Sequence, residues 1–213
     1  MGVFMTRKGY MGKILMVDLS KGTIEEESLP DAIYEKYLGG MGLGAYILYN
    51  RIPKGADPLG PDNMLGFLPG LLTGTGSLFT GRWMVVGKSP LTGTWGDANC
   101  GGTFSPEIKR CGYDGIFVKG ISEKPVYLYV DDRVKELRDA SEVWGMDAVE
   151  TEEYLEKNAK KTGKKPKVAC IGPAGEQVSL ISGISTNKGR MAARSGLGAV
   201  MGSKRLKAID RKS

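Results

Sequence analysis

The sequence predicts an α+β fold of mixed β-sheets and helices. Three observations carry that prediction. Short alternating runs joined by tight glycine-containing turns read as hairpin-linked strands. Apolar residues at helical spacing mark helices between them, and the strict strand–helix–strand alternation of a doubly wound sheet is missing. A block of hairpin, helix and further strands recurs loosely in each half, which points to two similar β-rich lobes. No stretch poor in apolar residues separates them as independent domains.

The elements follow in order. "GKILMVDLSKGTIEEESLP" reads as a hairpin, with residues 14–19 as one strand, Ser20-Lys21-Gly22 as the turn and 23–27 as the return. Pro30 and Asp31 open a helix whose Ile33, Tyr34, Tyr37 and Leu38 keep the helical period. "GGMGLGAYILYNRI" carries a Gly-rich turn into a second helix that Pro53 stops. "NMLGFLPGLLTGT" is an apolar run broken by Gly and Pro, a buried strand and a loop. Residues 82–86 form a short strand before the turn "SPLTG"; "GDANCGG" is a Gly-rich loop, followed by a helix over 106–111 and a strand over 115–119. "VYLYVDD" is a strand expected to pair with the one before it, and "SEVWGMDAVETEEYLEKNAK" a helix with Ala148, Val149, Tyr154 and Leu155 on its apolar stripe. "KPKVACIGPAGE" returns to strand and turn, and "SLISGIST" is another strand. Residues 190–204 are Gly/Ala-rich and helix-compatible after Arg194, and "LKAI" starts a last strand.

Composition bounds the function. The 213 residues make one large domain or two small ones. Glycine, at 32 residues, is about twice its usual share of roughly 7%, without a fixed period. Such a chain wants many tight turns, or backbone close to a ligand. The net charge of +6 owes much to "KNAKKTGKKPK", read as a solvated turn, and no nucleic-acid-binding signature accompanies it. No run approaches 18 apolar residues and "MGVFMTRKGY" lacks the core of a signal peptide, so the expectation is a cytoplasmic protein with no membrane and no nucleic-acid partner. The 3 cysteines lie far apart and form no CxxC pair, which argues against a disulfide framework or a zinc site. There is no histidine, so the commonest general base and metal ligand are both missing.

Three segments share one character: small residues, a glycine pair and isolated polar groups. They are "TGRW" with Arg82, "GDANCGG" with Asn99, and "GRMAARSG" with Arg190 and Arg194. Glycine N–H groups and guanidinium forks together form a sound cradle for phosphates, and an amide oxygen can serve a hard cation such as Mg²⁺. An ordinary set of basic turns is the plain alternative. "GGMGLG" follows a helix rather than a strand, which defeats a dinucleotide-loop reading, and "GTGSLFTG" lacks the ending of a Walker A loop. Asp97, Glu107 and Asp114 are expected as helix-surface or turn carboxylates rather than acid–base catalysts.

Taken together and in order, "GKILMVDLSKGTIEEESLP", "YLGGMGLGAYILY", "TGRWMVVGKSPLTG", "DANCGGTFSPEIKRCGYDGIFVKG", "KVACIGPAGE" and "GRMAARSGLGAVMGSKRLKAI" resemble the tungsten-containing aldehyde ferredoxin oxidoreductase family. The resemblance covers residues 10–209 and only that family's N-terminal domain, with 1–9 as a flexible N-terminus and 210–213 as a tail. It implies an α+β domain on which a tungsten or molybdenum bis-pterin lies. Arg82 would reach the pterin, between it and a 4Fe–4S cluster ligated outside this chain. Asn99 would bind a Mg²⁺ bridging the pterin phosphates, with Gly101 offering backbone nearby and the main-chain carbonyl of Met191 as second ligand. Arg190, Met191, Ala193 and Arg194 would line the same cofactor. Met41 stands where the family often has Arg, and Met191 and Ala193 where it often has Ala and Gly.

No catalytic residue is expected within this span, so this domain alone would be inactive. The resemblance further implies C-terminal domains of the same full-length protein as partners, ferredoxin as electron acceptor, an aldehyde substrate and a homo-oligomer at full length. Alternatives are the tungsten subunit of a benzoyl-coenzyme A reductase, a stand-alone phosphate- or pterin-binding module, and a basic nucleic-acid-binding domain.

Overall fold

The hairpin at the start of the chain sets the frame for everything after it. In the computed structural model, which describes residues 9–158 and 166–211, β1 (Lys13–Asp18) and β2 (Thr23–Ser28) pair antiparallel with Asp18 opposite Thr23. The Asp18 carboxylate accepts the Ser20 N–H at 3.1 Å and the Lys21 N–H at 3.2 Å, and Gly22 takes the left-handed conformation (φ 66°) that closes the turn. Along β1 the pleat sends Leu15 and Val17 to one face and Ile14 and Met16 to the other, and both faces are covered.

Two helices follow, α1 (Asp31–Tyr37) and α2 (Gly40–Arg51), then β3 (Leu65–Pro69), β4 (Trp83–Lys88) and β5 (Trp95–Cys100). Next come α3 (Phe104–Arg110) and β6 (Ile116–Lys119), which returns parallel to β1. The sheet order is β2-β1-β6-β3-β4-β5. The second half repeats the pattern: hairpin β7 (Val126–Val130) and β8 (Lys135–Asp139), helix α4 (Ala148–Asn158), then β9 (Lys167–Cys170). The one-turn α5 (Pro173–Glu176) precedes β10 (Ile184–Thr186) and β11 (Arg190–Ala192), and α6 (Leu197–Ser203) leads into β12 (Leu206–Arg211). Its order, β11-β10-β9-β12-β7-β8, is the first sheet's order six strands later, and β12 returns parallel to β7 as β6 does to β1. The two similar lobes expected from the sequence are these two sheets.

The largest core lies between them. Leu15, Val17, Phe67, Trp83 and Val85 of the first sheet meet Leu128, Val130, Ala169 and Ile184 of the second, with Phe104 and Ile108 of α3 and Val200 and Met201 of α6 packed between. Helices α1 and α2 cover the outer face of the first sheet through Tyr34, Leu43 and Ile47, and α4 covers the second through Leu155. The sheet edges are tied on both sides. Glu26 on β2 pairs with Lys135 on β8 at 2.6 Å and accepts the Tyr113 hydroxyl at 2.5 Å. On the opposite side, the Ser195 hydroxyl accepts the Asp97 N–H of β5 at 3.2 Å and donates to the Asp97 carbonyl at 3.1 Å.

Several expectations are corrected. β7 pairs with β8 and β12, not with the preceding β6, because the chain crosses from one sheet to the other between them. The "GDANCGG" loop begins as strand β5, whose alternation of exposed Asn99 with buried Ala98 and Cys100 is masked by small residues. Only residues 184–186 of "SLISGIST" pair as a strand, and Arg190 starts β11 rather than a loop. Glu107 and Asp114 are buried, not surface carboxylates: Asp114 accepts the Met11 and Gly12 N–H groups at 2.8 Å each. β12 continues to Arg211, two residues into the expected tail. Residues 1–8 of the N-terminal segment, most of the Lys-rich turn and 212–213 lie outside the described residues.

Candidate functional site

The small-residue segments converge where the two lobes meet, at the equivalent edges β5 and β11. The β4–β5 register sets Met84 opposite Asn99 and Trp83 opposite Cys100. Trp83 is locked inward between Phe67 and Phe104, and its indole N–H donates to the Gly101 carbonyl at 3.4 Å. Arg82, one residue earlier, is therefore left exposed at the strand's start, and its guanidinium donates to the Asn99 side-chain oxygen. That oxygen has two lone pairs, one of them taken by Arg82.

The second lobe reaches the same place through the β10–β11 hairpin, where Thr186 pairs with Arg190 across a three-residue turn. Asn187 accepts the Thr103 N–H through Oδ1 and donates to the Thr103 hydroxyl through Nδ2, both at 2.9 Å. This clamp brings Arg190 over residues 101–102: a methyl group added to Gly101 would sit 3.4 Å from Arg190 Nη1, and one on Gly102 3.3 Å from Arg190 Cδ. Gly102 itself has φ 112°, a backbone that side chains rarely adopt. Met191 is 43% exposed and its side chain packs beside Gly183, while Ala193 and Arg194 are exposed just past the end of β11. The fold thus brings Arg82, Asn99, Gly101 and Arg190 together. Met191, Ala193 and Arg194 continue from them along one exposed strand end, without a hydrogen bond to Arg82 or Asn99 among the described residues.

The electrostatics are those of an anion site. Among the described residues the arginine ion pairs are made by Arg51, Arg110 and Arg138, and none by Arg82, Arg190 or Arg194. Buried Cys100 lies within reach of two of these cations: burial pushes its thiol pKa up, and Arg190 and Arg82 pull it back only in part. With no metal beside it, the group is held as the neutral thiol. Among the described residues no cluster of three or more His, Cys, Asp or Glu could hold a metal. A hard cation would have to rest on neutral oxygens such as Asn99 Oδ1, with anionic groups offsetting Arg82. A phosphate-bearing group with its own bound cation fits those requirements.

Sequence reasoning did not single out Asn187, Thr103 or Ser195. The signal for the first was present: "IST-NKG-RMA" is two short runs around a three-residue Gly-containing turn. Nothing local could reveal the Ser195–Asp97 and Asn187–Thr103 contacts, which span 98 and 84 residues.

The family model for the aldehyde ferredoxin oxidoreductase N-terminal domain matches residues 14–212. The chain belongs to this family. It is 47% identical over 201 residues to a tungsten-containing aldehyde ferredoxin oxidoreductase of Pyrococcus horikoshii, covering 94% of this chain and 33% of the relative. It is 36% identical over 214 residues to the WOR-like subunit of an aliphatic sulfonate oxidoreductase of Pyrococcus furiosus, covering 94% of this chain and 34% of that subunit. In structure it is similar to a chain of the active-site complex BamBC of benzoyl-coenzyme A reductase bound to 1,5-dienoyl-CoA, with a TM-score of 0.93 and 39% identity over 98% of this chain and 31% of that one. The chain spans about a third of the length of these relatives. Among the described residues no helix is long and apolar enough to cross a membrane.

Proposed function

We propose that this chain forms the cofactor-facing wall of a tungsten bis-pterin oxidoreductase that oxidises aldehydes, with ferredoxin as electron acceptor. The observation that carries the reading is the convergence of Arg82, Asn99, Gly101 and Arg190 from two lobes onto one exposed face, where neither arginine forms an ion pair with a carboxylate among the described residues. Membership in the family and 47% identity to a tungsten-containing aldehyde ferredoxin oxidoreductase support it.

In this reading the arginine forks bind pterin phosphates, because a planar guanidinium bonds two oxygens at once and keeps its charge. Asn99 Oδ1 and the Met191 carbonyl would hold a Mg²⁺ that offsets phosphate charge, and Ala193 and Arg194 would extend the same wall. The bound metal–pterin group and a 4Fe–4S cluster held outside this span supply the redox chemistry. This chain's residues bind, orient and charge-balance that group and hold no proton-transfer role. The exposed Leu72 and Phe79 share a depression of about 200 Å³ with Arg82. An apolar rim beside a cofactor face is what further domains of a longer polypeptide would cover.

The benzoyl-coenzyme A reductase likeness is the second reading, supported by the fold this chain shares with one chain of that complex, with a TM-score of 0.93 and 39% identity. We place the choice of substrate in the two-thirds of the relatives outside this span. Elemental analysis of the protein purified from its own cells tests the main proposal: tungsten or molybdenum with iron in a band about three times this length is expected, and a metal-free band refutes it. Arg82→Ala in that protein should lose tungsten or slow electron transfer with little loss of thermal stability. Full metal content with full activity would remove Arg82 from the site.

A further inference from the structure

The turn that carries Arg190 is held from behind by a buried carboxylate with no part in the site described above. Asn187, Lys188 and Gly189 have φ of 49°, 57° and 119°, three successive left-handed residues of which only the last is glycine. Lysine gains nothing from that conformation by itself, so something must hold it there. Successive N–H groups in such a turn point into one concavity suited to an anion. The anion is Glu152 of α4, 3% exposed: its Oε2 accepts the Lys188 N–H at 2.7 Å, and the adjacent Asn187 N–H helps stabilise its charge. The neighbouring Glu153 holds the Lys188 ammonium at 2.6 Å. On its other side the same turn grips Thr103 through Asn187.

A continuous line of hydrogen bonds therefore runs from α4, on the outer face of the second lobe, through the turn to the Gly-rich loop of the first. We propose that Glu152 is a positioning residue for the cofactor face: its carboxylate fixes the 187–189 turn, and through it the placement of Arg190 and of residues 101–103. The role rests on the proposed function above only in what the face binds; the tether itself is independent of any ligand. A carboxylate is needed because its charge draws the N–H groups of the turn and either oxygen can accept, whereas a glutamine in its place is neutral and has one accepting oxygen.

The test uses the full-length protein as isolated, with Glu152→Gln, Arg190→Ala and, as a control for plain destabilisation, Leu155→Ala, which empties a buried site on the same helix. Amide hydrogen exchange reads the tether without reference to any cofactor. Glu152→Gln should speed exchange of the Lys188 and Thr103 N–H groups at least tenfold relative to the buried Leu128 amide, and Leu155→Ala should leave that ratio unchanged. An unchanged ratio in Glu152→Gln, or an equal rise in Leu155→Ala, overturns the proposal. Tungsten release under dialysis against a chelator then reads the consequence: Glu152→Gln should release several-fold faster than Leu155→Ala. If Arg190→Ala releases tungsten and Glu152→Gln does not, the positioning role falls. If the exchange ratio responds while neither variant changes release, the tether stands and the cofactor reading of this face is what fails.

Discussion

Adjacent glycines in the Gly-rich loop offer an internal control on how the lobes are joined. A methyl group at Gly102 would stand 2.2 Å from Asn187 Oδ1, on a backbone with φ 112°. In Gly102→Ala the Asn187 side chain must swing away and give up both bonds to Thr103. Each is worth about 0.5–1.5 kcal/mol net, and an alanine held at that φ costs roughly 1–3 kcal/mol. Thr103 is exposed, which favours the lower end of the hydrogen-bond range, so the two bonds and the backbone cost together come to about 2–4 kcal/mol. At Gly101 the added methyl meets only the guanidinium end of an exposed Arg190 at 3.4 Å, which is ordinary contact, and Gly101→Ala should change stability by under about 0.5 kcal/mol. Parallel urea titrations followed by tryptophan fluorescence, sensitive to the buried Trp83 that bonds Gly101, measure both as midpoint shifts at unchanged slope. In an Asn187→Ala background the cost of Gly102→Ala should fall to its backbone part, about 1–3 kcal/mol. Equal costs for the two alanine variants, or a Gly102→Ala variant within about 0.5 kcal/mol of the parent, would refute the clamp.

Two further outcomes follow from buried groups away from the site. Lys204 is fully buried, donating to the Asn63 carbonyl at 2.6 Å and the Gly120 carbonyl at 3.3 Å, and burial pushes its pKa down to about 8 from 10.5. The unfolded chain binds its proton more tightly than the folded one between those values. Stability should therefore rise with pH from about 8 to about 10.5, by as much as roughly 3 kcal/mol, and Lys204→Met should abolish that rise; matching pH profiles for parent and variant would contradict it. Gly202, on α6, faces the Gly175 carbonyl so closely that an added methyl carbon would lie 1.8 Å from the oxygen. Gly202→Ala must push α6 off α5 and should cost upwards of about 3 kcal/mol in thermal or denaturant unfolding; a near-neutral result would mean that the two helices are free to part.

The first hairpin was fully legible because its signals are local: alternation in "KILMVD", an Asp-led turn closed by Gly22, and alternation again. The buried β3, and the helices α2 and α4, were legible for the same reason, through apolar runs, spacing and Pro53. β5 was read as a loop because its small residues hide the period of two, and β8 escaped because "KELRD" is a solvated edge strand with no apolar face to show. The assignment of β7 to the wrong partner has a deeper cause: the pairing of β7 with β12 joins residues some eighty positions apart, and no local pattern selects one distant partner over another.

Fold class, family, the two arginine-bearing segments and the Asn99–Gly101 stretch are all readable from residue type and order. The absence of histidine points to guanidinium, amide and backbone groups as the candidate ligand-facing set. The meeting of the β5 and β11 edges, the contact of Arg82 with Asn99 and the grip of Glu152 and Thr103 on the turn bearing Arg190 come from long-range packing. Those contacts exist only where the two sheets bury their inner faces against each other, and the register of that packing is set by the whole apolar surface, not by any segment within it.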